Sequence, residues 1–596
     1  MDNVKTKKET IGFIPAVKTL SKSIREYKKP SFLAPLFVAL EVVMECLIPF
    51  IMTLLLDRIK NISESGNTQI LIQEILKYGG VLLVLAFVSL TCGVLAGKYC
   101  ATASSGFAKN LRKDMFKRIQ GFSFSNIDKF STSSLVTRLT TDVTNVEMSY
   151  MMIVRTAIRA PFMLIFSLIM SFVINTKMAL IFLCTTPILA VGLILITSKA
   201  MPLFQKIFPK YDALNESVQE NIHGMRVVKS YVREDYEKEK FEKASNEVKN
   251  NFTKAEKLVA MNGPLMNFCI YSGLILIYII GSMLIINSKE QILKLAELQS
   301  FMTYSFQMLM SLMMLSMIMV MIIISIASAK RIAEVLNEKS SITSPEDAIT
   351  EIKDGSIEFE NVCFKYSTAA ERYVLSDVNL KINSGETVGI LGATGSSKTT
   401  LVNLIPRLYD VSEGIVKVSG VNVKDYDVTA LRNSVAMVLQ KNQLFSGTLR
   451  ENMQWGDKNA TDEEIMHALN LAQIGNFELD KHVEQGGANF SGGQKQRLCI
   501  ARALLKKPKI LILDDSTSAV DTKTDAMIRK SFREYIPETT KIIIAQRVAS
   551  VIDADKIIIM DNGKIIAIGS HEELLNSNLI YQELFHSQNK AGDDNG

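Results

Sequence analysis

The sequence predicts a chain in two parts, a membrane bundle of six α-helical spans followed by an α/β domain. Three observations predict it. Hydrophobic residues make up 48% of the 596, high for a soluble α/β protein, while 21% charged residues are too many for a chain wholly in a membrane. Six apolar segments in the first half each approach the roughly 20 residues that cross a bilayer. From about residue 356 onward, short aliphatic runs alternate with helical patterns, the signature of an α/β sheet.

The elements follow in order. Residues 1–30 carry eight Lys/Arg against three Asp/Glu, so this end is expected to stay cytoplasmic. Within it, 11–27 reads either as an amphipathic helix on the lipid surface or as a disordered tail. The first long apolar run, near Ser31, is too long for a signal-peptide core and lacks a small-residue cleavage site, so no cleaved leader is expected. The spans are placed at 31–56, 75–97, 153–174, 178–199, 264–287 and 298–327, inside a transmembrane region of 31–335. Connections expected outside are short. Those expected inside run to about 55–65 residues each and are rich in charge, as though the spanning helices continue into the cytoplasm. Two inner stretches, Phe130–Asn145 and Glu220–Tyr231, break these helices with differently patterned pieces, either contact elements or plain helix-turn-helix tips. A polar linker at 336–355, the α/β domain at 356–584 and a frayed tail at 585–596 complete the chain.

The net charge of +6 is explained by basic residues beside membrane spans and does not point to nucleic acid. The seven cysteines are scattered, without a CxxC, which argues against a zinc site or a disulfide framework.

Three segments carry chemistry. Thr387–Leu391 reads as a strand running into Gly392-Ala393-Thr394-Gly395-Ser396-Ser397-Lys398-Thr399-Thr400. This resembles the phosphate-binding GxxxxGK[ST] loop, in which backbone N–H groups and a helix N-terminus cradle phosphates. Lys398 would pair with the outer phosphates and Thr399 would bind Mg²⁺. Ser397 stands where that pattern has glycine. The alternative is an ordinary strand-to-helix turn. A second aliphatic strand, Ile510–Leu513, ends on Asp514 and Asp515. A carboxylate at such a strand end sits where α/β folds bind ligands, so Asp514 is placed to hold Mg²⁺ beside a nucleotide phosphate. Between them, Ser491-Gly492-Gly493-Gln494 opens a helix with a hydroxyl and bare N–H groups, suited either to an anion or to simple capping.

The order of the phosphate loop, Gln440, FSGGQ, ILILDD, SAVD and IIIAQR closely resembles ATP-binding cassette exporters of the half-transporter type, over essentially the whole chain. That resemblance implies ATP and Mg²⁺ as cofactors, Tyr366 stacking on adenine, and Gln440 sensing Mg²⁺ and the membrane domain. It also implies Asp521 in the dimer loop, and Phe130–Asn145 and Glu220–Tyr231 as coupling helices. Two cassettes would sandwich two ATPs, each between the phosphate loop of one chain and Ser491–Gln494 of the other.

Two departures from the family pattern matter most. Asp515 stands where the family has a catalytic glutamate. One methylene fewer withdraws the carboxylate by up to about 1.5 Å, and misplacement by about 1 Å costs on the order of 100-fold in rate. Gln546 stands where the family has a histidine on the γ-phosphate, and an amide cannot take up a proton. The expectation is slow turnover at this chain's own site, as in the degenerate-site subunit of heterodimeric bacterial multidrug exporters, with a second half-transporter as partner. The alternatives are a homodimeric exporter or lipid flippase, and a regulatory ATP-binding subunit.

In the membrane half, Glu41 and Glu45 lie one turn apart, as do Arg155 and Arg159. Intramembrane charges are functional suspects, and Glu41 or Glu45 would meet a cationic substrate unless the four form structural ion pairs. Met310, Met313, Met314, Met317 and Met321 line one face of the last span after Phe306, a surface suited to varied apolar ligands or to lipid and core packing. The expected setting is a multi-pass protein among membrane lipids, handling a small amphipathic substrate, with its N-terminus and ATPase domain in the cytoplasm.

Overall fold

The computed structural model describes residues 12–65, 68–288, 290–367, 370–475, 477–516 and 518–593. The chain divides into two compact units, one of Met1–Gly121 with Ser131–Glu338, the other of Phe122–Phe130 with Lys339–Gly596.

The first unit is helical. A short α1 (Phe13–Ser21) precedes α2 (Lys28–Ser65) and α3 (Thr68–Gln120); α4 (Phe124–Lys129) belongs to the other unit. Then come α5 (Thr132–Thr137), a π-helical turn at Arg138–Asp142, α6 (Val143–Ile174), α7 (Thr176–His223), α8 (Met225–Ser230), α9 (Glu234–Ala260), α10 (Asn262–Ser288) and α11 (Leu295–Asn337). Six of these helical stretches are long and apolar enough to cross a membrane, and their apolar windows are only 11% to 38% buried within the chain. Apolar surface left exposed on that scale needs lipid or another subunit to cover it. α1 carries the amphipathic pattern on described residues, with Ala16 and Leu20 buried and Ile14 exposed; residues 1–11 lie outside the described residues.

The second unit holds the α/β domain. Its elements are β1 (Ile357–Phe364), β2 (Leu375–Ile382), β3 (Thr387–Leu391), α12 (Lys398–Asn403), β4 (Glu413–Val418), β5 (Val421–Asn422), α13 (Val428–Ser434), β6 (Val435–Val438), β7 (Gly447–Thr448), α14 (Leu449–Met453), α15 (Asp462–Leu471), β8 (His482–Val483), α16 (Gly492–Leu505), β9 (Ile510–Asp514), α17 (Thr522–Tyr535), β10 (Thr540–Ile544), β11 (Lys556–Asp561), β12 (Lys564–Gly569), α18 (His571–Ser577) and α19 (Leu579–Asp593). An antiparallel sheet in the order β2-β1-β4-β5 accompanies a six-stranded sheet in the order β12-β11-β3-β10-β9-β6. In the latter, β11, β3, β10, β9 and β6 run parallel. β9 and β10 are buried at every position, as expected of strands covered on both faces.

The structure corrects one expectation about the inner loops. Phe130–Asn145 was expected to supply the contact with the α/β domain; the residues just before it do so. A capping box at Ser123 starts α4, and within the second unit Phe124 packs on Tyr409 while the Tyr409 hydroxyl donates to Asp128 Oδ2 at 2.7 Å. Asn126 Nδ2 also donates to the Lys339 carbonyl at 3.1 Å. The polar groups after Phe130 are committed elsewhere. Buried Asp142 accepts from Ser328 Oγ at 2.8 Å and Arg331 Nε at 2.7 Å, and Arg138 lies 3.1 Å from Glu334, all on α11. Glu220–Tyr231 contains α8, where Val227 is exposed, as is Tyr231 at its C-cap. α19 extends to Asp593, into the segment 585–596 read as a tail, and its Leu584 and Phe585 pack on the cassette core beside fully buried Tyr581. Residues 594–596 lie outside the described residues.

Candidate functional site: the strand-end cleft

Register explains why distant residues meet. Ile544 of β10 pairs with Ile390 of β3 on one side and with Asp514 of β9 on the other. The three strands therefore end at one level. The phosphate loop, the Asp514-Asp515 pair and Gln546 all leave the sheet at the same edge, where α/β folds take ligands. They line a cleft of about 350 Å³ with Thr394, Gly395, Ser397, Lys398, Thr399, Thr400 and Gln440.

The loop is built for close approach. A Cβ at Gly392 would stand 2.2 Å from the Met560 carbonyl oxygen, so no larger residue fits there. Ser397, the N-cap of α12, holds the left-handed conformation at φ 73° and ψ 22°. That backbone costs a non-glycine residue about 1–2 kcal/mol, which explains why related loops use glycine. Serine does not change the loop's path; it makes the path more costly. Lys398 Nζ donates to the Gly392 and Ala393 carbonyls at 2.7 and 2.8 Å and lies 3.2 Å from Ser396 Oγ. Burial lowers its pKa, against the pull of Asp514 and Asp515.

Asp514 is buried and accepts from Thr399 Oγ1 at 3.0 Å. Burial pushes its carboxyl above the ordinary range, an effect that the Thr399 hydroxyl opposes. A desolvated carboxylate beside a hydroxyl is a set of hard oxygen donors, the chemistry Mg²⁺ requires; the residues fit that ion. Asp515 is also raised by burial, an effect that the Gln440 and Gln546 side chains oppose. Gln546 Nε2 donates to its Oδ2 at 2.9 Å. The two positions that depart from the family pattern are thus in direct contact.

Other expected residues are placed as follows. Tyr366 lies beside the loop, its hydroxyl 2.9 Å from Thr400 Oγ1 and its ring edge-on to Phe364 and Tyr409, with about half its surface open. Ser491 caps α16 in a full capping box with Gln494. Among the described residues, Ser491, Gly492, Gly493 and Gln494 are not part of the cleft lining. Asp521 caps α17, accepting from the Thr524 N–H at 2.9 Å. Sequence reasoning passed over Gln496. Buried, it accepts from the Ala519 N–H at 3.0 Å and lies 3.2 Å from Ser518 Oγ, tying α16 to the loop after Asp515. A glutamine inside the SGGQKQR run gave no signal apart from its neighbours.

In the membrane unit, Arg159 binds both acidic residues of α2: Nη1 to Glu41 Oε1 at 2.6 Å, and Nη2 to both Glu45 oxygens at 2.8 Å. Arg155 is exposed. Met310, Met314 and Met317 are exposed on α11, while Met313 and Met321 are partly covered.

Residues 31–312 match the ABC transporter transmembrane region, and residues 375–518 match the ABC transporter ATPase domain. An uncharacterized ABC transporter ATP-binding protein of Bacillus subtilis (strain 168) is 36% identical over 86% of this chain and 89% of its own length. The chain belongs to the ABC transporter family. The transporter is also 31% identical to an ATP-dependent lipid A-core flippase of Desulfotalea psychrophila, over 96% of this chain and 99% of that protein. In fold it matches a bacterial Atm1-family ABC exporter solved with ATP bound, with a TM-score of 0.81, 21% identity, and coverage of 94% and 99% of the two chains. The transporter is therefore a multi-pass membrane protein of the exporter type, carrying its own ATP-binding ATPase domain.

Proposed function

We propose that this transporter is one half of a heterodimeric, ATP-driven exporter of amphipathic compounds, and that its own phosphate-loop site turns ATP over slowly. The observation that carries this reading is the 2.9 Å bond from the Gln546 amide to Asp515. Asp515 is the carboxylate nearest to where a water would be activated. It is one methylene short for that task, and the Gln546 amide engages one of its oxygens. A neutral amide at 546 offers a donor but no proton-accepting ring nitrogen. Ser491–Gln494 keeps a fully formed helix start, which suits it to complete a partner's site.

In this site Thr399 and Asp514 would hold Mg²⁺, which supplies charge neutralisation for the phosphates. The transporter's own residues do the rest. The loop N–H groups and Lys398 orient the phosphate chain, Tyr366 stands beside the loop on the base side, and Gln546 holds Asp515 in place. On the membrane side, Glu41 and Glu45 with Met310, Met313 and Met317 are proposed for the substrate path. Two carboxylates share one guanidinium there, and a cationic group on the substrate would offset the remaining charge. Export of a cationic amphipath that is unchanged in Glu41→Gln with Glu45→Gln would exclude that role.

The deciding test is ATPase activity of the purified transporter alone and with a second half-transporter carrying Glu and His at these positions. Activity that appears only in the pair supports the proposal; vigorous activity of the chain alone overturns it. A second reading, a homodimeric flippase, draws on the Desulfotalea relative and predicts measurable turnover without any other chain.

A further inference from the structure

The end of the chain reaches back to the loop that carries Gln546. α19 is anchored by Tyr581, whose side chain is fully buried with its hydroxyl 2.6 Å from His571 Nδ1, and by Leu584 and Phe585 on the same core. About one turn further on, the half-buried Gln588 carboxamide makes two backbone bonds. Its Oε1 accepts from the Val548 N–H at 2.8 Å, and its Nε2 donates to the Gln546 carbonyl at 2.9 Å. These groups stand just beyond β10, after the Ala545 N–H has bonded to the Ile390 carbonyl at 3.2 Å. The sheet no longer fixes the backbone there, and one carboxamide takes over, holding the loop as a neighbouring strand would.

We propose that Gln588 is a positioning residue for the ATP-hydrolysing site: by fixing the backbone of Gln546, the C-terminal helix sets where the 546 side chain meets Asp515. This rests on the reading above that residues 515 and 546 govern turnover. The linkage is continuous, from the core-anchored helix through Gln588 to the 546 backbone, and from the 546 amide to the Asp515 carboxylate. The chemistry is specific. A glutamine offers one acceptor and one donor at this reach, a glutamate offers acceptors alone, and an asparagine is one methylene short.

The test uses the full-length transporter in lipid nanodiscs, with its partner chain where activity requires one. Hydrogen exchange is read at residues 545–550 and, as an internal control, at β9. Gln588→Ala is expected to speed exchange at Val548 about tenfold, the scale of one lost hydrogen bond, with β9 unchanged, whereas Gln588→Glu keeps an acceptor for the Val548 N–H and loses only the donor to the Gln546 carbonyl. Unchanged protection at Val548 in Gln588→Ala overturns the proposal. Turnover is then read in the Asp515→Glu/Gln546→His background. Adding Gln588→Ala is expected to lower kcat about three- to tenfold with KM for ATP within about twofold, because the phosphate-loop contacts are untouched. Gln588→Glu should match the alanine variant. An unchanged kcat, or a rise in KM equal to the fall in kcat, overturns the positioning role. If the Asp515→Glu/Gln546→His parent gains no turnover, the slow-site reading fails, and the exchange measurement still decides the Gln588 contact.

Discussion

The cassette and the membrane unit each bring two carboxylates close together, and they treat them in opposite ways. In the membrane unit, Glu41 and Glu45 are both bound by Arg159, a cation from the same chain. In the cassette, among the described residues, the side-chain hydrogen bonds that Asp514 and Asp515 accept come from neutral donors, Thr399 and Gln546, while Lys398 donates to loop carbonyls. One internal cation orders the membrane pair and matches one of its two charges. Neutral donors fix position in the cassette and leave the charge for a ligand.

The largest expected effect tests the membrane side. Arg159→Met leaves two partly buried carboxylates without their partner and should cost about 3–5 kcal/mol, seen as a lower melting temperature of the solubilised transporter. Adding Glu41→Gln and Glu45→Gln should recover most of that loss; if it does not, the trio is not held by charge. On the cassette side, Asp515→Glu with Gln546→His should raise turnover at this site by about 100-fold, measured as ATP hydrolysis with the partner's site inactivated. No increase would show that neither side chain limits the rate.

A smaller effect separates loop shape from loop chemistry. Ser397→Gly should stabilise the cassette by about 1 kcal/mol, since glycine adopts the left-handed conformation freely, with ATP affinity equal or higher in a binding titration. The smallest effect follows from Asp514. Its folded pKa lies above the unfolded value, so its contribution favours the fold at low pH and is lost as pH rises through the folded pKa. Without nucleotide and Mg²⁺, Asp514→Asn should therefore melt higher than the parent at neutral pH. The gap should close as pH falls into the ordinary carboxylate range. A gap that widens on acidification would contradict the burial cause.

Much of the site was legible in the linear sequence because phosphate binding needs a contiguous piece of backbone. Gly392–Thr400, the Asp-ended strand and the SGGQ helix start are each local patterns with local physics. The departures at Ser397, Asp515 and Gln546 were legible for the same reason. The contact element was placed one segment too late, since Phe124–Lys129 is distinguished only by a capping box and by what it packs on, whereas Arg138 and Asp142 pair with α11. The tail was read as frayed because its polar composition hides the buried Tyr581 and Phe585 packing of α19.

By itself, then, the sequence determined the six spans, the strand–helix alternation, the phosphate loop and the identity of each departure, all of which follow from local periodicity and spacing. Tertiary structure decided the rest. It decided that Asp515 and Gln546 touch, that Arg159 takes both glutamates, that Gln496 ties α16 to the loop after Asp515, and that Gln588 holds the loop after β10. Each of those depends on strand order and helix packing, which bring together residues dozens to hundreds of positions apart, and no local pattern encodes such a meeting.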